Sequence, residues 1–272
     1  MSRKRHTPDD EPFFLIRTLA ANFLDGDEIA PHAHGWGQLI YATSGLITVS
    51  AERGTWVVPP RWAVWAPAGI RHGMRFTGTA SLRTLYVRPD IMCLAPYSAV
   101  VNVSPLLREL ILRAVDLTML DAREPTHRAL VDLIVHECAT CSAPPLDLPW
   151  PRSDRLRQVA EHLAEHAADR VSHATLGRRF GIGVRTLERS FAAETGLSLG
   201  QWRRHARFMH ALRRLGAGAS VKRVAGEAGY QTPSAFIAAF RATLQTTPGR
   251  YFTEGRLPAR VAERPTSSSR RR

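Results

Sequence analysis

Hydrophobic residues follow one spacing in the first third of the chain and another in the rest. Residues 13–89 contain short apolar runs separated by Gly and Pro, with many β-branched and aromatic residues and no persistent helical period. The runs cover residues 13–19, 38–42, 46–49, 56–58, 63–66 and 82–87. This pattern predicts an all-β domain, either a sandwich or a small barrel.

Helical spacing begins near residue 104. Ser104 is a suitable N-cap, and Pro105 stands at the first helical position, where proline is well tolerated. Apolar residues then recur three and four positions apart, at Leu106, Leu107, Leu110, Ile111, Ala114 and Val115 and again at Leu130, Leu133 and Ile134. We expect amphipathic helices across residues 104–143, which either carry a dimer contact or cover the β domain.

A proline-rich stretch separates these helices from the rest of the chain. Residues 144–151 read PPLDLPWP. Because proline lacks a backbone N–H and has a fixed φ, this stretch is expected to lack regular structure and to act as a semi-rigid linker. The domain boundary is therefore predicted within residues 144–152.

A first helix-turn-helix is predicted after residue 153. Ser172 caps a helix with Leu176 and Phe180 as its buried residues, and residues 181–183 (Gly-Ile-Gly) form the turn. Residues 184–195 then form a second helix with Leu187 and Phe191 buried four positions apart. A connector helix is predicted over residues 199–215.

A second unit of the same layout follows the connector. Val221, Val224, Ala225 and Ala228 form one face of a short helix, which Gly229 ends. Another helix then begins with Thr232 as N-cap and Pro233 at the first position, and Phe236 and Phe240 anchor it. From spacing alone, an ordinary pair of antiparallel helices is an alternative.

The residues of both units resemble the AraC/XylS family of bacterial transcription regulators. VKRVAGEAGYQTPSAFIAAFR, followed by TP and Tyr251, resembles the second helix-turn-helix of that family. Residues 176–215, LGRRFGIGVRTLERSFAAETGLSLGQWRRHARFMHALRRL, resemble the first one and its connecting helix. Gly177, Gly183 and Gln245 stand where the family usually has Ala, Ser and Gly. The resemblance implies that residues 153–255 form a DNA-binding domain.

The charge distribution agrees with a polyanionic partner for the C-terminal part. The chain carries a formal net charge of +13. Residues 1–152 hold 15 Lys and Arg against 15 Asp and Glu, whereas residues 153–255 hold 16 against 8 and residues 256–272 hold 6 against 1. The excess positive charge therefore lies beside the helix-turn-helix units, where double-stranded DNA would bind.

Candidate DNA contacts lie on the outer faces of the second helix of each unit. Arg185 and Arg189 can each bond both acceptors of guanine, and Glu188 can accept from cytosine. The complete candidate set is Arg185, Thr186, Glu188, Arg189, Gln231, Thr232, Ser234, Ala238 and Arg241. Because the second unit exposes mainly small residues, we expect base discrimination from the first unit and phosphate contacts from the second.

A separate constellation lies in the β domain. His32 and His34 are two positions apart, so on a strand they would point to the same face, and His72 follows at the end of a later apolar run. The segments containing His32, His34, Gln38, Gly45, Gly69 and His72 resemble the two sequence motifs of cupin domains. The resemblance implies three histidine ligands, with Gln38 where cupins usually have Glu. Gln is a weaker ligand than a carboxylate.

Three interpretations of these four residues are open. They could bind a divalent metal ion (Zn, Mn, Fe or Ni) through His32, His34 and His72, they could hydrogen-bond an organic effector, or the histidines could be purely structural. The family resemblance implies that many such sensor domains hold an organic effector without chemistry. Four aromatic residues could line such a pocket or simply form core: Trp36, Tyr41, Trp62 and Trp65.

The remaining features place the protein in the cytoplasm. The sequence has no apolar run long enough to span a membrane and no signal-peptide core. Cys138 and Cys141 form a single CxxC, which is weak evidence for a metal or redox role. Residues 1–12 and the basic tail at residues 256–272 are expected to be flexible or disordered.

These observations predict a multidomain α+β protein. Its parts are a cupin-like barrel at residues 13–103, a helical segment at 104–143, the linker and an all-α domain at 153–255. We expect a transcriptional regulator, not an enzyme, that binds double-stranded DNA as a homodimer and responds to a small molecule or metal. It would contact RNA polymerase if it is an activator, and no membrane partner is expected. The alternatives are a metal-dependent cupin enzyme with a nucleic-acid-binding appendage and an architectural DNA-binding protein.

Overall fold

Two antiparallel sheets and a series of helices make up the computed structural model, which describes residues 13–92, 94–140, 147–244 and 246–253. The strands of the N-terminal part are β1 (Phe14–Phe23), β2 (Glu28–His32), β3 (Gly37–Tyr41), β4 (Leu46–Ala51), β5 (Gly54–Val58), β6 (Trp62–Ala66), β7 (His72–Thr77), β8 (Ala80–Val87) and β9 (Ala99–Asn102). Strand β10 (Met119–Asp121) lies between helices α1 (Pro105–Leu117) and α2 (Pro125–Thr140), and β11 (Asp147–Pro149) precedes the C-terminal helices.

The strands divide into a six-stranded and a five-stranded sheet. The first, sheet A, has the order β10-β1-β8-β3-β6-β9, and the second, sheet B, has the order β11-β5-β4-β7-β2. No ladder of the described strands joins the two sheets, so the predicted barrel is observed as two open sheets. The predicted β-rich N-terminal part is otherwise confirmed.

Seven helices follow in the C-terminal part that the structure describes. They are α3 (Asp154–Glu165), α4 (His173–Phe180), α5 (Val184–Thr195), α6 (Leu199–Gly216), α7 (Val221–Glu227), α8 (Pro233–Leu244) and α9 (Pro248–Thr253). The predicted turns are present: Gly181 and Gly229 both have positive φ, of 64° and 82°. The side chains of Ser172 and Thr232 accept backbone N–H groups from Thr175 and Ala235, as expected of N-caps.

Two expectations about regular structure were wrong. Residues 147–149 of the proline-rich stretch form β11, which pairs with β5 at the edge of sheet B. Proline is tolerated there because an edge strand has one side without ladder bonds. The segment predicted to be wholly helical also contains β10, which pairs with β1. Residues 144–146 of the linker and both chain termini lie outside the described residues.

Helices α1 and α2 cover part of the β domain. Leu107, Ile111 and Ala114 of α1 and Val131 and Ile134 of α2 belong to one apolar cluster with residues of sheet A. The predicted cap is present, because the Ser104 hydroxyl accepts from the Leu107 N–H at 3.0 Å. Cys138 is buried in this cluster, and Cys141 lies outside the described residues. The covering role is thus observed.

The second apolar cluster crosses from sheet B into the helices. It includes Ile47 and Phe76 of sheet B together with Trp202 of the connector helix α6 and Phe236 of α8. At the C-terminal end of α6 the contact is so close that a Cβ added to Gly216 would lie 2.1 Å from Leu46 Cδ1. Glycine at position 216 therefore allows the connector helix to rest directly on the β domain.

Candidate functional site

The three histidines meet where the edge of sheet B approaches strand β3. His32 ends β2 and His72 begins β7, and the two are register partners. His34 lies in the connection to β3, and Gln38 is the second residue of that strand. The ring centroids of His32 and His72 are 4.7 Å apart, and those of His34 and His72 are 5.2 Å apart. The structure therefore brings together all four residues that the sequence singled out.

Each histidine hydrogen-bonds a backbone carbonyl through its Nδ1. Nδ1 of His32 lies 3.0 Å from the Ala30 oxygen, Nδ1 of His34 lies 2.7 Å from the Trp36 oxygen, and Nδ1 of His72 lies 2.9 Å from the Ile70 oxygen. A carbonyl oxygen can only accept, so Nδ1 must carry the hydrogen in each ring. In a neutral imidazole the other nitrogen, Nε2, then has only its lone pair.

The amide of Gln38 is oriented by a separate chain of hydrogen bonds. Its Nε2 donates to the Thr84 hydroxyl at 2.9 Å, and that hydroxyl donates to the Leu39 carbonyl at 2.9 Å. The Gln38 oxygen is thereby turned toward Nε2 of His34, at 3.0 Å, and Nε2 of His72, at 2.9 Å. Sequence reasoning missed Thr84, a buried threonine in the middle of β8.

Burial opposes protonation of the histidines that face Gln38. It lowers the pKa of His72 to about 4, an effect larger than the opposing contribution of its hydrogen bond to Ile70. Burial also lowers the pKa of His34. At neutral pH both rings are therefore uncharged, and their Nε2 lone pairs face an oxygen lone pair. A shared cation would convert this unfavourable contact into coordination.

The donor set fits a transition-metal ion. The ligand nitrogens of His32, His34 and His72 all lie within 4.8 Å of one another. Imidazole nitrogens suit Zn, Ni, Fe and Cu, and a carbonyl-type oxygen can complete the set. The backbone carbonyls that accept from each Nδ1–H are the usual outer-shell partners of metal-binding histidines.

The aromatic residues considered for an effector pocket are part of the interior. Trp36, Tyr41, Trp62 and Trp65 are all buried. Tyr41 and Trp65 pack in the cluster beneath α1 and α2, and Trp62 packs in the cluster shared with the helices. Tyr86, which the sequence did not single out, lies closer to the site, with its ring 5.2 Å from that of His34.

The first recognition helix, α5, presents its predicted contacts to solvent. Arg185, Thr186, Glu188 and Arg189 are exposed, while Leu187 and Phe191 are fully buried. The Glu188 carboxylate accepts a 2.6 Å hydrogen bond from Nδ1 of His173, at the start of α4. The helix therefore offers two arginines and one oriented carboxylate on a single face.

The second recognition helix, α8, is exposed in the same way. Gln231, Thr232, Ser234, Ala238 and Arg241 are all exposed. Its inner face is aromatic, with Phe236 and Phe240 fully buried. The 18-residue connector α6 spans about 27 Å at the usual helical rise, close to the separation of successive major grooves.

Several basic residues near the recognition helices hold the domain together. Arg203 and Arg207 of α6 donate to backbone carbonyls of the α3–α4 connection, including that of Asp169. Arg214 and Arg223 both donate to Glu227, and the hydrogen bond from Arg214 is the main cause that lowers the pKa of that carboxyl to about 2.

Comparison with known proteins supports both halves of this description. A family described as "AraC-like ligand binding domain" matches residues 18–114, and one described as "Helix-turn-helix domain" matches residues 176–254. The chain is 35% identical over 220 residues to the HTH-type transcriptional regulator NimR of Escherichia coli K12, with 81% of each chain covered.

Two solved structures are also similar. ToxT from Vibrio cholerae shares 9% identity, with 88% of this chain and 98% of that chain covered and a TM-score of 0.37. The DNA-binding domain of AdpA, solved in complex with a target DNA, shares 33% identity, with 38% of this chain and 93% of that chain covered and a TM-score of 0.34.

The matches and the two halves of the structure define a helix-turn-helix transcriptional regulator with an N-terminal ligand-binding domain. The chain belongs to the AraC family of these regulators. No helix among the described residues is long and apolar enough to cross a membrane.

The burial of His72 predicts a pH dependence of stability in protein freed of metal by a chelator. Its pKa is about 4 when folded and about 6.5 when unfolded. The unfolded state therefore binds more protons as pH falls from 6.5 toward 4, and stability is lost across that window. We expect His72 to contribute a loss of about 2 kcal/mol in the free energy of unfolding between pH 7.5 and pH 5.

Urea unfolding of the wild type and of His72→Gln at both pH values measures this contribution. Between pH 7.5 and pH 5, His72→Gln should lose less of its free energy of unfolding than the wild type does. His166→Gln, which removes an exposed histidine of α3, should match the wild type. Equal pH dependence in His72→Gln and the wild type would contradict the assignment.

Proposed function

We propose that this regulator senses a divalent metal ion through His32, His34 and His72, with the Gln38 oxygen as a fourth donor. The supporting observation is the fixed hydrogen-bonding state of the site. All three Nδ1–H groups are directed to carbonyls, which leaves Nε2 of His34 and of His72 facing the Gln38 oxygen, with His32 in the same cluster. A bound ion would supply the positive charge that these groups lack.

We propose further that the site regulates and does not catalyse. The amide of Gln38 cannot serve as a general base, because a carboxamide does not accept a proton in the physiological pH range. Its orientation is also fixed through Thr84. An enzymatic turnover that is abolished by the substitution His32→Ala would instead support the metal-dependent enzyme alternative.

A continuous line of contacts joins the histidine site to the DNA-binding helices. Across sheet B, His72 is the register partner of Ala51, Ala51 of Gly54, and Gly54 of Pro149. We call His72, Ala51, Gly54 and Pro149 the register row. The Pro149 carbonyl accepts a 2.8 Å hydrogen bond from the indole of Trp202 in α6. A displacement of β7 on metal binding would reach the connector helix through this row.

Trp202 also contacts the first recognition helix. Its ring meets that of Phe191, on the buried face of α5, edge to face at 5.6 Å. Through this contact, a shift of the register row would tilt α5 relative to α8. Because α5 and α8 must enter successive major grooves at the same time, a small change in their relative orientation would alter operator affinity.

We propose that the protein acts in the cytoplasm as a homodimer. Support comes from Leu106 of α1 and Leu133 of α2, which are 52% and 48% exposed although the same helices bury their other faces on the β domain. Large exposed apolar residues on adjacent helices are typical of protein interfaces. An activating role would add RNA polymerase as a partner.

Metal titration of the chelator-treated protein tests the proposed sensor. Calorimetry with Ni²⁺ and Zn²⁺ should show one ion per chain. His72→Gln should weaken binding by at least about 100-fold, because loss of a direct ligand costs at least as much as loss of an outer-shell partner. Gln38→Glu should strengthen it, because a carboxylate is charged. His166→Gln is the matched control, and unchanged affinity in His72→Gln would exclude this site.

The register row predicts that Trp202→Phe uncouples the two sites. Selection of genomic fragments on the wild type supplies an operator, and fluorescence anisotropy then measures its affinity with and without metal. In Trp202→Phe the metal should no longer change operator affinity, while affinity without metal should fall by no more than about fivefold, the effect of one hydrogen bond. Trp150→Phe removes the indole bond to Thr55 but keeps an aromatic ring beside Trp202 and the Trp202–Pro149 bond, so it should keep the metal response. A metal response that survives Trp202→Phe would refute the row as the route.

The exposed arginines of α5 predict where sequence is read. Arg189→Ala should weaken operator binding by about 1–3 kcal/mol and relax the preference for one base. Arg155→Ala removes the same charge from the exposed face of α3 and should leave base preference unchanged. Binding-site selection on each variant checks both results. Strong preference only in the half-site bound by α8 would contradict the assignment.

A further inference from the structure

A cavity of about 570 Å³ lies between the β domain and the C-terminal helices. The β domain contributes residues of the β1–β2, β3–β4, β5–β6 and β7–β8 turns, and the helical half contributes the end of α6 and part of α9. The lining residues that carry the argument are Asp25, Pro60, Gly78, Leu215, Tyr251 and Phe252. Its size and its position between domains are those of small-molecule sites.

This cavity is separate from the histidine site. His72 begins β7, whereas Gly78 and Thr79 follow the other end of that strand. Six residues of extended chain span about 20 Å. A molecule bound in the cavity would therefore not touch the proposed metal.

One wall of the cavity is apolar and aromatic. Tyr251 and Phe252 of α9 meet edge to face with centroids 5.2 Å apart, and Leu215 and Pro60 add aliphatic surface. Tyr251 is 3% exposed, so its ring is fixed by packing on both sides. Such a wall suits the apolar body of a ligand, and aromatic faces also attract cations.

The formal charge of the cavity lining is negative. Asp25 is the only formally charged residue of its lining, and its Oδ1 accepts the Gly78 N–H at 2.9 Å. Helix α6 ends at Gly216, so the partial negative charge of its C-terminus also points there. The arginines of its last turn do not line the cavity, and Arg214 is engaged with Glu227.

We infer that this cavity is a second ligand site, selective for a small amphipathic cation, that is, an apolar aromatic body with a protonated amine. The body lies against Tyr251, Phe252 and Leu215, and the amine lies toward Asp25 and the end of α6. Anions are disfavoured because the one formal charge of the lining, that of Asp25, is negative. Since the ligand contacts both halves of the chain, it fixes the position of the connector helix on the β domain.

Three compounds with one indole body and different charges test this inference: tryptamine (cation), indole-3-acetamide (neutral) and indole-3-acetate (anion). Calorimetry is done on the full chain with a chelator present, so that the histidine site plays no part. Tryptamine should bind about fivefold or more tighter than indole-3-acetate, with the amide between them. Tryptamine should also raise the unfolding temperature.

Two variants locate the binding. Asp25→Asn keeps the acceptor for Gly78 and should remove most of the preference for the cation, whereas Asp116→Asn, on the exposed side of α1, should leave it unchanged. Ala217→Trp fills the cavity from its exposed rim and should abolish binding. Absence of binding by all three compounds at millimolar concentration would overturn the inference. So would affinities that neither Asp25→Asn nor Ala217→Trp changes.

Discussion

The hydrogen bond from the Trp202 indole to the Pro149 carbonyl joins the sensing and DNA-binding halves of this regulator. Trp202 is fully buried, and its ring packs between the edge of sheet B and the recognition helix α5. An indole N–H buried without an acceptor would cost about 1–3 kcal/mol. This penalty keeps β11 and α6 at a fixed distance and orientation. This bond and the shared apolar cluster together position the helical half on the β domain.

The proposed metal site would bind a cation through neutral groups. Its polar atoms are held by partners outside the site, with three carbonyls fixing the imidazole hydrogens and Thr84 fixing the amide of Gln38. What remains in the centre is a set of lone pairs. Because three imidazoles and an amide bring no negative charge, the site would hold an ion less tightly than one with a carboxylate. Moderate affinity suits a sensor, whose site must empty when the metal becomes scarce.

The helical half could be predicted almost residue by residue from the sequence. Ser172, Gly181, Gly229 and Thr232 mark helix ends through local chemistry, and paired aromatic residues four positions apart mark the buried faces. The long connector α6 was placed within one residue at its C-terminal end. Local signals were sufficient there because each helix is stabilised by its own caps and its own apolar stripe.

In the β domain, the strands that carry the histidine site were less predictable from the sequence. Strands β2 and β7 carry His32 and His72 but lack a continuous apolar run, since Pro31, Gly73 and charged residues interrupt them. The sequence motif nevertheless identified all four residues of the site. The orientation of Gln38 and the register row depend on contacts between residues far apart in the chain, such as Thr84 and Pro149, which no local pattern reveals.

The close contact of Gly216 with Leu46 has a consequence for how such regulators diversify. The apolar cluster that begins in sheet B continues without a break to α8, so the two halves share one interior. Any side chain at position 216 would collide with Leu46, and a larger residue at position 46 would displace the helix. When the DNA-binding half is exchanged between members of the family, the residues at these two positions must therefore fit each other.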